Sequence, residues 1–346
     1  MENNFGVIDL RSDTITRPTA AMRRAMSEAE VGDDVYLEDP TVRRLERMAA
    51  DAMGKEAALF VASGTMGNLV AVLSQTQRGD RVVVGDEAHI YYYEGDGERR
   101  LAGVELVAIP NDERGGMDPA LVKEMLEAHG SPASLVCLEN THNRCGGAAL
   151  TAGETAAVAD VARSHGARVH LDGARIFNAA VALGVPAAEL AAPVDSVTFC
   201  FSKGLSAPVG SILNGGADFI GRARQMRRMV GGGMRQVGVI AAAGIVALET
   251  MVERLAQDHE NARLLAEGLY ALPGIRLDAA SVQTNIVVLE LEGWEPPDFL
   301  AALKEAGVLA VPFGPHRIRM VTHSDVSRDD VEKAVERIRS VCAARV

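Results

Sequence analysis

The chain has 346 residues, 48% of them apolar and 24% charged, which excludes disordered, collagen-like and disulfide-stapled proteins. With 35 Lys and Arg against 47 Asp and Glu, the formal net charge is −12. No basic tract offers the clustered cations that nucleic acid or an anionic membrane requires. At about 150 residues per domain, the length predicts roughly two domains. These numbers favour a soluble α/β enzyme or a small-molecule-binding protein.

The N-terminus and the cysteines indicate the compartment. Residues 1–5 lack the basic and apolar regions of a signal peptide, and the longest uncharged, mostly apolar run, 236–248, is shorter than the about 20 residues of a membrane helix. The four cysteines show no C-x-x-C spacing, so neither a zinc site nor a disulfide framework is indicated. We expect a cytoplasmic protein without a bound metal and without a membrane segment.

Predicted helices and strands alternate over the first 250 residues. Asp39 is typical of an N-cap with Pro40 at the first helical position, and Gly54 of the residue that ends that helix. An apolar strand at 57–62 leads into a helix that reaches residue 73. Further short strands are expected at 81–84, 104–109, 135–138, 167–171, 196–200 and 209–213. Apolar strands alternating with helices indicate an α/β fold with a parallel sheet covered on both faces, and ligand chemistry at the carboxyl ends of its strands.

The pattern changes after about residue 250. The remaining predicted elements are a helix at 258–272, a strand at 285–291, a helix at 297–306, a strand at 317–321 and a final helix at 329–341. This order indicates a smaller α+β unit. We therefore predict a large domain at 1–250, which begins with an N-terminal arm at 1–20, and a small C-terminal domain at 251–346.

Two candidate ligand-binding segments follow predicted strands. The Ser-Gly-Thr-Met-Gly-Asn segment at 63–68 opens a helix, where backbone N–H groups favour an anion such as phosphate, although an ordinary tight turn gives the same pattern. Asp172 comes directly after a buried strand and could hold a heteroaromatic nitrogen protonated. Arg175 offers a planar fork for a carboxylate, but a structural Asp–Arg pair is an equal alternative.

A third segment contains a lysine in an unusual place. Lys203 lies between Ser202 and Gly204 just past an apolar strand, where its amine could form an imine with a carbonyl group. A phosphate-binding turn, a buried acid and a reactive lysine, in this order on one parallel sheet, are the groups that pyridoxal phosphate needs.

With these motifs, the chain resembles the low-specificity L-threonine aldolases of the fold-type I pyridoxal-phosphate enzymes, nearly from end to end. The segments that carry the resemblance are residues 9–14 with 17–18, 31–36, 63–68, 139–143, 170–177, 202–205, 231–236 and 319–323. The resemblance implies a large cofactor domain with a mainly parallel central sheet between helices, and a smaller C-terminal α+β domain.

The resemblance also implies roles toward the cofactor. Lys203 would bind pyridoxal phosphate covalently, and Asp172 would pair with the ring nitrogen. His89 would stack on the ring and is a candidate catalytic base. The residues implied to hold the phosphate or to lie near the cofactor are Ser63, Gly64, Thr65, Ser202 and Arg235.

Toward the substrate, the resemblance implies that Ser12, Arg175 and Arg319 bind the α-carboxylate. Tyr36 would reach the site of a neighbouring subunit, and His129 aligns with a second active-site histidine of some members. The implied assembly is a homotetramer, a dimer of dimers with sites at the subunit interface. Leu37 departs from the family pattern, which has glycine there. Because leucine disfavours a positive φ, we expect this loop to be displaced.

The activity that the resemblance implies is retro-aldol cleavage of L-threonine, L-allo-threonine and related β-hydroxy-α-amino acids to glycine and an aldehyde. The alternatives are an aldolase that prefers L-phenylserine, a β-eliminating lyase or serine hydroxymethyl transfer on the same scaffold, and a non-catalytic protein that binds pyridoxal phosphate or an amino acid. The combination of Ser12, Arg175 and Arg319 favours the aldolase.

Overall fold

The computed structural model describes residues 6–344. Residues 1–5, which include the start of the predicted N-terminal arm, and residues 345–346 lie outside the described part. The strands are β1 (Ile8–Asp9), β2 (Ala57–Val61), β3 (Arg81–Gly85), β4 (Glu105–Ile109), β5 (Ala133–Glu139), β6 (Arg168–Asp172), β7 (Ser196–Cys200), β8 (Ser211–Gly215), β9 (Ile275–Arg276), β10 (Ile286–Leu291), β11 (Val308–Leu309), β12 (Val311–Pro312) and β13 (Arg317–Val321).

The helices cover both faces of the large sheet and frame the C-terminal one. They are α1 (Ala20–Ser27), α2 (Pro40–Met53), α3 (Gly64–Gln75), α4 (His89–Tyr92), α5 (Gly95–Gly97), α6 (Pro119–Glu127), α7 (Ala152–Ser164), α8 (Ile176–Leu183), α9 (Ala187–Ala191), α10 (Ala217–Met229), α11 (Gly238–Thr250), α12 (Leu255–Leu269), α13 (Pro296–Glu305) and α14 (Arg328–Ala343). A π-helical turn, Glu98–Ala102, continues α5.

The central sheet has seven strands in the order β2-β8-β7-β6-β5-β3-β4. Strands β7, β6, β5, β3 and β4 run parallel, whereas β8 is antiparallel to both of its neighbours, β7 and β2. The reason is the short connection from β7 to β8, residues 201–210, which is too brief for the crossover that a parallel pair needs. The predicted mainly parallel sheet is confirmed, and the loop that contains Lys203 is the turn of its antiparallel pair.

Alternating side chains divide the core between the two faces of this sheet. Along β2, Ala58 and Phe60 join the hydrophobic cluster that includes residues of α2 and α8, whereas Leu59 and Val61 join the cluster formed with α3 and α10. This period of two is the geometry of an extended strand. Both faces are therefore buried, as the continuous apolar runs of the sequence indicate.

The C-terminal region contains a separate antiparallel sheet in the order β12-β13-β10-β9, packed against α12 and α14. The start of the described chain joins it, because β1 pairs in parallel with β11 and both Ile8 and Leu10 belong to the same hydrophobic cluster. The domain boundary at residue 250 stays a prediction. Within residues 6–344, no helix is both long and apolar enough to span a bilayer.

Local signals located most elements to within a few residues. Asp39 accepts hydrogen bonds from the backbone of Thr41 and Val42 at the start of α2, and Gly54 ends it with φ 60°. The largest displacement is α12, which begins at Leu255, three residues before the predicted 258, and ends at Leu269 rather than at Leu272. Its first turn has no side-chain cap that could have marked the start.

Candidate active site

A cavity of about 330 Å³ lies at the carboxyl ends of the parallel strands. Its wall brings together seven of the residues predicted from the sequence to hold the cofactor: Ser63, Gly64, Thr65, His89, Asp172, Ser202 and Lys203. Two larger clefts, of about 430 and 520 Å³, lie elsewhere on the described surface, but neither has a lysine in its wall. The chemistry therefore points to the smaller cavity, at the sheet edge where α/β proteins bind ligands.

The start of α3 forms the anion-binding end of this cavity. Ser63 is the N-cap, and its Oγ accepts a hydrogen bond from the backbone N–H of Met66 at 3.1 Å. The backbone N–H groups of Gly64 and Thr65 have no partner within the helix, which is the arrangement that binds phosphate. A Cβ on Gly67 would lie 2.6 Å from Cγ2 of Thr198, so glycine lets α3 approach β7 closely.

Asp172 ends β6 as a buried carboxylate at the floor of the cavity. Its Oδ2 accepts from Nδ2 of Asn68 at 2.8 Å, and its Oδ1 accepts from the backbone N–H of Ala174 at 3.0 Å. Burial favours a raised pKa for Asp172, but the charges of His89 and Lys203 and these hydrogen bonds outweigh burial and lower the pKa. The side chain is therefore an anion that can keep a ring nitrogen protonated.

A buried relay of hydrogen bonds fixes Asn68 behind Asp172. Oδ1 of Asn68 lies 3.2 Å from Nε2 of His170, and Nδ1 of His170 lies 2.9 Å from Oγ of Ser196. Because Asn68 Oδ1 can only accept, His170 carries its hydrogen on Nε2. Burial lowers the pKa of His170 to about 4, so this histidine is neutral and orients Asn68 rather than titrating near pH 7.

His89 opens α4 beside the cavity and faces a second buried acid. Its Nδ1 lies 3.0 Å from Oε1 of Glu94, and its backbone N–H donates to Glu139 at 2.6 Å. The ring centroid lies 4.9 Å from that of Tyr93, at an interplanar angle of 42°. Burial acts to lower the pKa of His89, but Glu94, Asp172 and Glu139 together raise it. With Nδ1 beside Glu94, Nε2 is the ring nitrogen left to exchange a proton with a bound molecule.

Lys203 lies in the turn between β7 and β8, half-buried in the cavity wall. Its backbone carbonyl accepts from Oγ1 of Thr16 at 3.1 Å, which ties the turn to the N-terminal segment. Nζ has no hydrogen bond or ion pair to another residue of the described range 6–344, although its charge lowers the pKa of both Asp13 and Asp172. A lysine amine among anions but without a fixed partner is suited to nucleophilic use.

Arg175 is held by a bidentate ion pair. Its Nε and Nη2 each donate to Asp13 at 2.7 Å, and Asn285 adds a bond to the same carboxylate at 3.2 Å. Both partners are almost completely buried. Burial favours a raised pKa for Asp13, but the guanidinium of Arg175 outweighs it and lowers the pKa. The structural Asp–Arg pair is therefore real, with Asp13 rather than Asp172, and Nη1 of Arg175 has no hydrogen bond within residues 6–344.

Arg319 approaches Arg175 from the C-terminal sheet. Its Nη1 donates to Oδ1 of Asn143 at 2.8 Å, its guanidinium carbon lies 5.1 Å from the ring centroid of Phe313, and its buried Nε has no partner in the described chain. Burial and then the charge of Arg175 lower the pKa of Arg319. Two guanidinium groups whose charges interact, each with a donor that makes no bond within residues 6–344, form a site suited to a carboxylate.

Six predicted site residues do not line this cavity: Arg175 and Arg319, described above, and four others, Ser12, Tyr36, Arg235 and His129. Ser12 caps the turn at Asp13–Ile15, next to the Arg11 carbonyl that accepts from Arg319 at 3.4 Å. Tyr36 is 72% exposed, Arg235 extends into solvent 3.7 Å from Asp33, and His129 is exposed beyond α6. The roles of these four residues stay predictions.

The expectation for Leu37 is wrong. Leu37 adopts the left-handed conformation, with φ 62° and ψ 30°, so the loop keeps the backbone geometry expected of glycine. The backbone N–H groups of Leu37 and Glu38 bond to the carbonyls of Asp34 and Asp33, which closes the turn around the residue. Gly32 is indispensable to this closure, because a Cβ there would lie 2.3 Å from the carbonyl oxygen of Glu38.

The residues present fit pyridoxal phosphate. A helix start with free N–H groups suits its phosphate, the buried Asp172 suits its ring nitrogen, and the unpaired Nζ of Lys203 suits its aldehyde. The sequence interpretation gave no role to Asn68, Glu94 or Asp13, which orient Asp172, His89 and Arg175. Their only signal was position, since Asn68 and Asp13 lie inside motifs already noted and Glu94 lies five residues after His89.

Comparison of the sequence with known proteins identifies its family. A sequence profile of the beta-eliminating lyase family matches residues 9–292. A probable low-specificity L-threonine aldolase 2 of Arabidopsis thaliana is 46% identical over 336 residues, which cover 94% of each chain. The low specificity L-threonine aldolase of Escherichia coli K12 is 42% identical over 340 residues, 97% of this chain and 100% of that one.

Solved structures agree on the fold. A threonine aldolase of Leishmania major superposes with a TM-score of 0.83 at 21% identity, covering 96% of this chain and 99% of that one. A putative L-allo-threonine aldolase of Listeria monocytogenes gives 0.81 at 20% identity, with coverage of 98% and 97%. With these relatives, the chain belongs to the low-specificity L-threonine aldolases of the beta-eliminating lyase family.

Proposed function

We propose that this protein is a pyridoxal-phosphate-dependent aldehyde-lyase. It cleaves L-threonine, L-allo-threonine and related β-hydroxy-α-amino acids by a retro-aldol reaction to glycine and an aldehyde. The observation that carries the proposal is the meeting of an unpaired lysine amine and a buried acid in one cavity, with two guanidinium groups nearby. The identity to aldolases of plants and bacteria supports the same reaction.

Seven residues of the cavity wall would hold the cofactor. Ser63, Gly64 and Thr65 would bind the phosphate at the start of α3 with Ser202, His89 would lie against the ring, and Asp172 would pair with the ring nitrogen. Lys203 would supply the amine that anchors the cofactor. When bound, pyridoxal phosphate supplies an electron sink for the pair released as the Cα–Cβ bond breaks.

The arginines would fix the substrate. Nη1 of Arg175 and Nε of Arg319 are the donors left after their bonds to Asp13 and Asn143, so a carboxylate can bind without displacing either pair. Ser12 would add a hydroxyl at the same end. A fixed carboxylate would limit rotation about Cα and so hold the Cα–Cβ bond in one orientation for cleavage.

His89 would act as the base that accepts the proton of the β-hydroxyl group. Its Nδ1 lies 3.0 Å from Oε1 of Glu94, so Nε2 of the neutral imidazole would take the proton that leaves the hydroxyl oxygen, directly or through a water. Glu94 stabilises the positive charge that results on the imidazole. His129 would approach the substrate only if its exposed loop folds against a cavity.

The proposal extends to assembly and location. We propose a homotetramer in which Tyr36 and Arg235 reach a neighbouring cavity, since both are exposed on their own chain. The large domain 1–250 would hold the cofactor and the small domain 251–346 would supply Arg319. A cytoplasmic location fits the four unpaired cysteines among the described residues. Light scattering that reports a monomer would contradict the assembly.

A product assay tests the reaction. Purified enzyme loaded with pyridoxal phosphate is incubated without folate with L-threonine, L-allo-threonine, L-phenylserine and their D-isomers, and aldehyde, glycine, pyruvate and ammonia are measured. We expect equimolar glycine and aldehyde from the L-isomers. Pyruvate and ammonia would instead indicate a β-eliminating lyase, and absence of any product would indicate a binding protein.

A further inference from the structure

A second buried carboxyl group lies within electrostatic range of the histidine of the cavity. Glu98 begins the π-helical turn Glu98–Ala102 and is 1% exposed. Neither of its carboxyl oxygens has a hydrogen-bond partner among the described residues. A buried carboxylate without a partner is strongly disfavoured, so such a group either finds a cation or keeps its proton.

Glu98 lies close enough to Glu94 and His89 for the charges of both to act on it. Glu94 immediately precedes α5, which continues into the π-helical turn, so the two glutamates are four residues apart on one helical face. Glu94 already divides its carboxylate between His89, at 3.0 Å, and Nδ2 of Asn68, at 3.2 Å. The negative charge of Glu94 therefore opposes a second negative charge on Glu98.

We propose that Glu98 is a buried acid that keeps its proton at neutral pH and controls, through Glu94, the charge of His89. The role is that of a positioning residue, and it rests on the function proposed above for His89. With Glu98 protonated, the glutamate pair has one negative charge, which matches one imidazolium. Loss of the Glu98 proton to solvent adds a second negative charge, which holds the proton on His89 more tightly.

The surroundings support a proton on Glu98. Burial and then the charge of Glu94 raise the pKa of Glu98 to about 8, against smaller opposing effects of the backbone N–H of Glu98 itself and of the charges of Arg99 and His89. Among the elements packed around it, α3 has no titratable residue and β4 has only the exposed Glu105. On β5, burial and then Glu98 raise the pKa of the Cys137 thiol, which therefore stays neutral.

Infrared titration of the apoprotein tests the proton directly and needs no turnover. We expect the wild type at pH 7 to show the carbonyl band of a protonated carboxyl group that Glu98→Gln lacks, lost with a midpoint near pH 8. The difference spectrum of the two proteins cancels the band of Asp258, a carboxyl group whose pKa burial raises to about 7. Asp96→Asn is the matched control, because Asp96 lies in the same helical segment but is exposed. Identical spectra of wild type and Glu98→Gln would overturn the proposal.

Imidazole NMR of the apoprotein tests the link to His89. We expect the His89 signals of the wild type to shift in two steps, the second near pH 8, and those of Glu98→Gln to lose that second step. In the loaded enzyme, the rate of Glu98→Gln should match the wild-type rate within about twofold at pH 7. At pH 9 it should exceed the wild-type rate about tenfold, because ionised Glu98 holds the proton on His89 more tightly in the wild type. An unchanged second step would overturn the link.

Glu94→Gln provides an independent variant if Glu98→Gln does not fold. Removal of the Glu94 charge should lower the midpoint of the Glu98 band below pH 8, and an unchanged midpoint would contradict the proposed pair. Both apoprotein measurements stand even if the enzyme releases no aldehyde, so failure of the reaction and failure of this inference can be told apart.

Discussion

Two parts of the site hold charge in different ways. On the carboxylate-binding side, Asp13 meets Arg175 in a buried bidentate pair, and the guanidinium lowers the pKa of Asp13. On the histidine side, Glu94 lies 3.0 Å from the half-buried imidazole of His89, and burial together with the charge of Glu94 raises the pKa of Glu98 to about 8. Burial alone does not decide the protonation of an acid. The number and geometry of its partners decide it, so one side has a fixed charge and the other a variable one.

The largest expected effect on stability comes from the buried pair of Asp13 and Arg175. Asp13→Asn leaves the buried guanidinium of Arg175 without its carboxylate, and we expect the free energy of unfolding to fall by about 3–5 kcal/mol. Chemical denaturation measures the loss. The matched control is Asp9→Asn, because Asp9 pairs with Arg11 at 2.5 Å near the surface and should contribute about 1 kcal/mol or less. Equal losses would remove the distinction between buried and exposed pairs.

The next effect concerns the histidine behind Asp172. The pKa of His170 is lowered by burial to about 4, below the unfolded value of about 6.5. Between these pH values His170 binds a proton in the unfolded chain but not in the folded one. Its contribution to the free energy of unfolding is therefore fully present above about pH 6.5 and is lost as the pH falls toward 4, by about 3 kcal/mol in all. His170→Gln should lower the number of protons taken up on unfolding by about one, which makes the free energy of unfolding less steeply dependent on pH between pH 4 and 6.5. The exposed His316→Gln should keep the wild-type slope, and a wild-type slope in both variants would contradict the neutral His170.

A smaller effect tests whether Arg319 binds the substrate carboxylate together with Arg175. Arg319→Lys keeps the charge but loses the planar donor set, and we expect KM for L-threonine to rise about tenfold to a hundredfold. Arg317→Lys is the control on the same strand, since Arg317 also lies near Phe313, with 5.5 Å to its ring centroid. Similar KM values for both variants would mean that Arg319 does not bind the substrate carboxylate.

The smallest effect is expected away from both charged sides, in the loop that contains Leu37. Leu37→Gly removes the backbone strain of a leucine with positive φ but increases the conformational entropy of the unfolded chain. We therefore expect the free energy of unfolding to change by less than about 1 kcal/mol. Gly32→Ala should cost more, because its Cβ would lie 2.3 Å from the Glu38 carbonyl oxygen. Thermal unfolding of the two variants makes the comparison, and a larger loss for Leu37→Gly would contradict it.

The sequence predicted the parts of the fold that local rules determine. Caps such as Asp39 and Gly54 and the apolar runs of the strands were sufficient for most elements, and the mainly parallel sheet followed from their order. The reversal of β8 was not predicted, because direction in a sheet depends on the length of the connection. The parallel pairing of β1 with β11 joins residues about 300 positions apart, and no local pattern reports that.

For the site, motifs predicted the residues that would touch the cofactor, and seven of them line one cavity. The residues that orient them were harder to find, because Asp13, Glu94 and Glu98 act through pairings made only in three dimensions. An aspartate in a motif is as consistent with a surface charge as with a buried partner of Arg175. Charge state, in particular, follows from burial and neighbours and not from residue type.

The proposed reaction depends on pyridoxal phosphate bound to Lys203 in this cavity. Borohydride reduction of the loaded enzyme, followed by peptide mass mapping, locates the bound cofactor. We expect one cofactor adduct per chain on the peptide that contains Lys203, and its loss in Lys203→Ala together with loss of aldehyde release. An adduct on another lysine, or aldehyde release retained by Lys203→Ala, would contradict it.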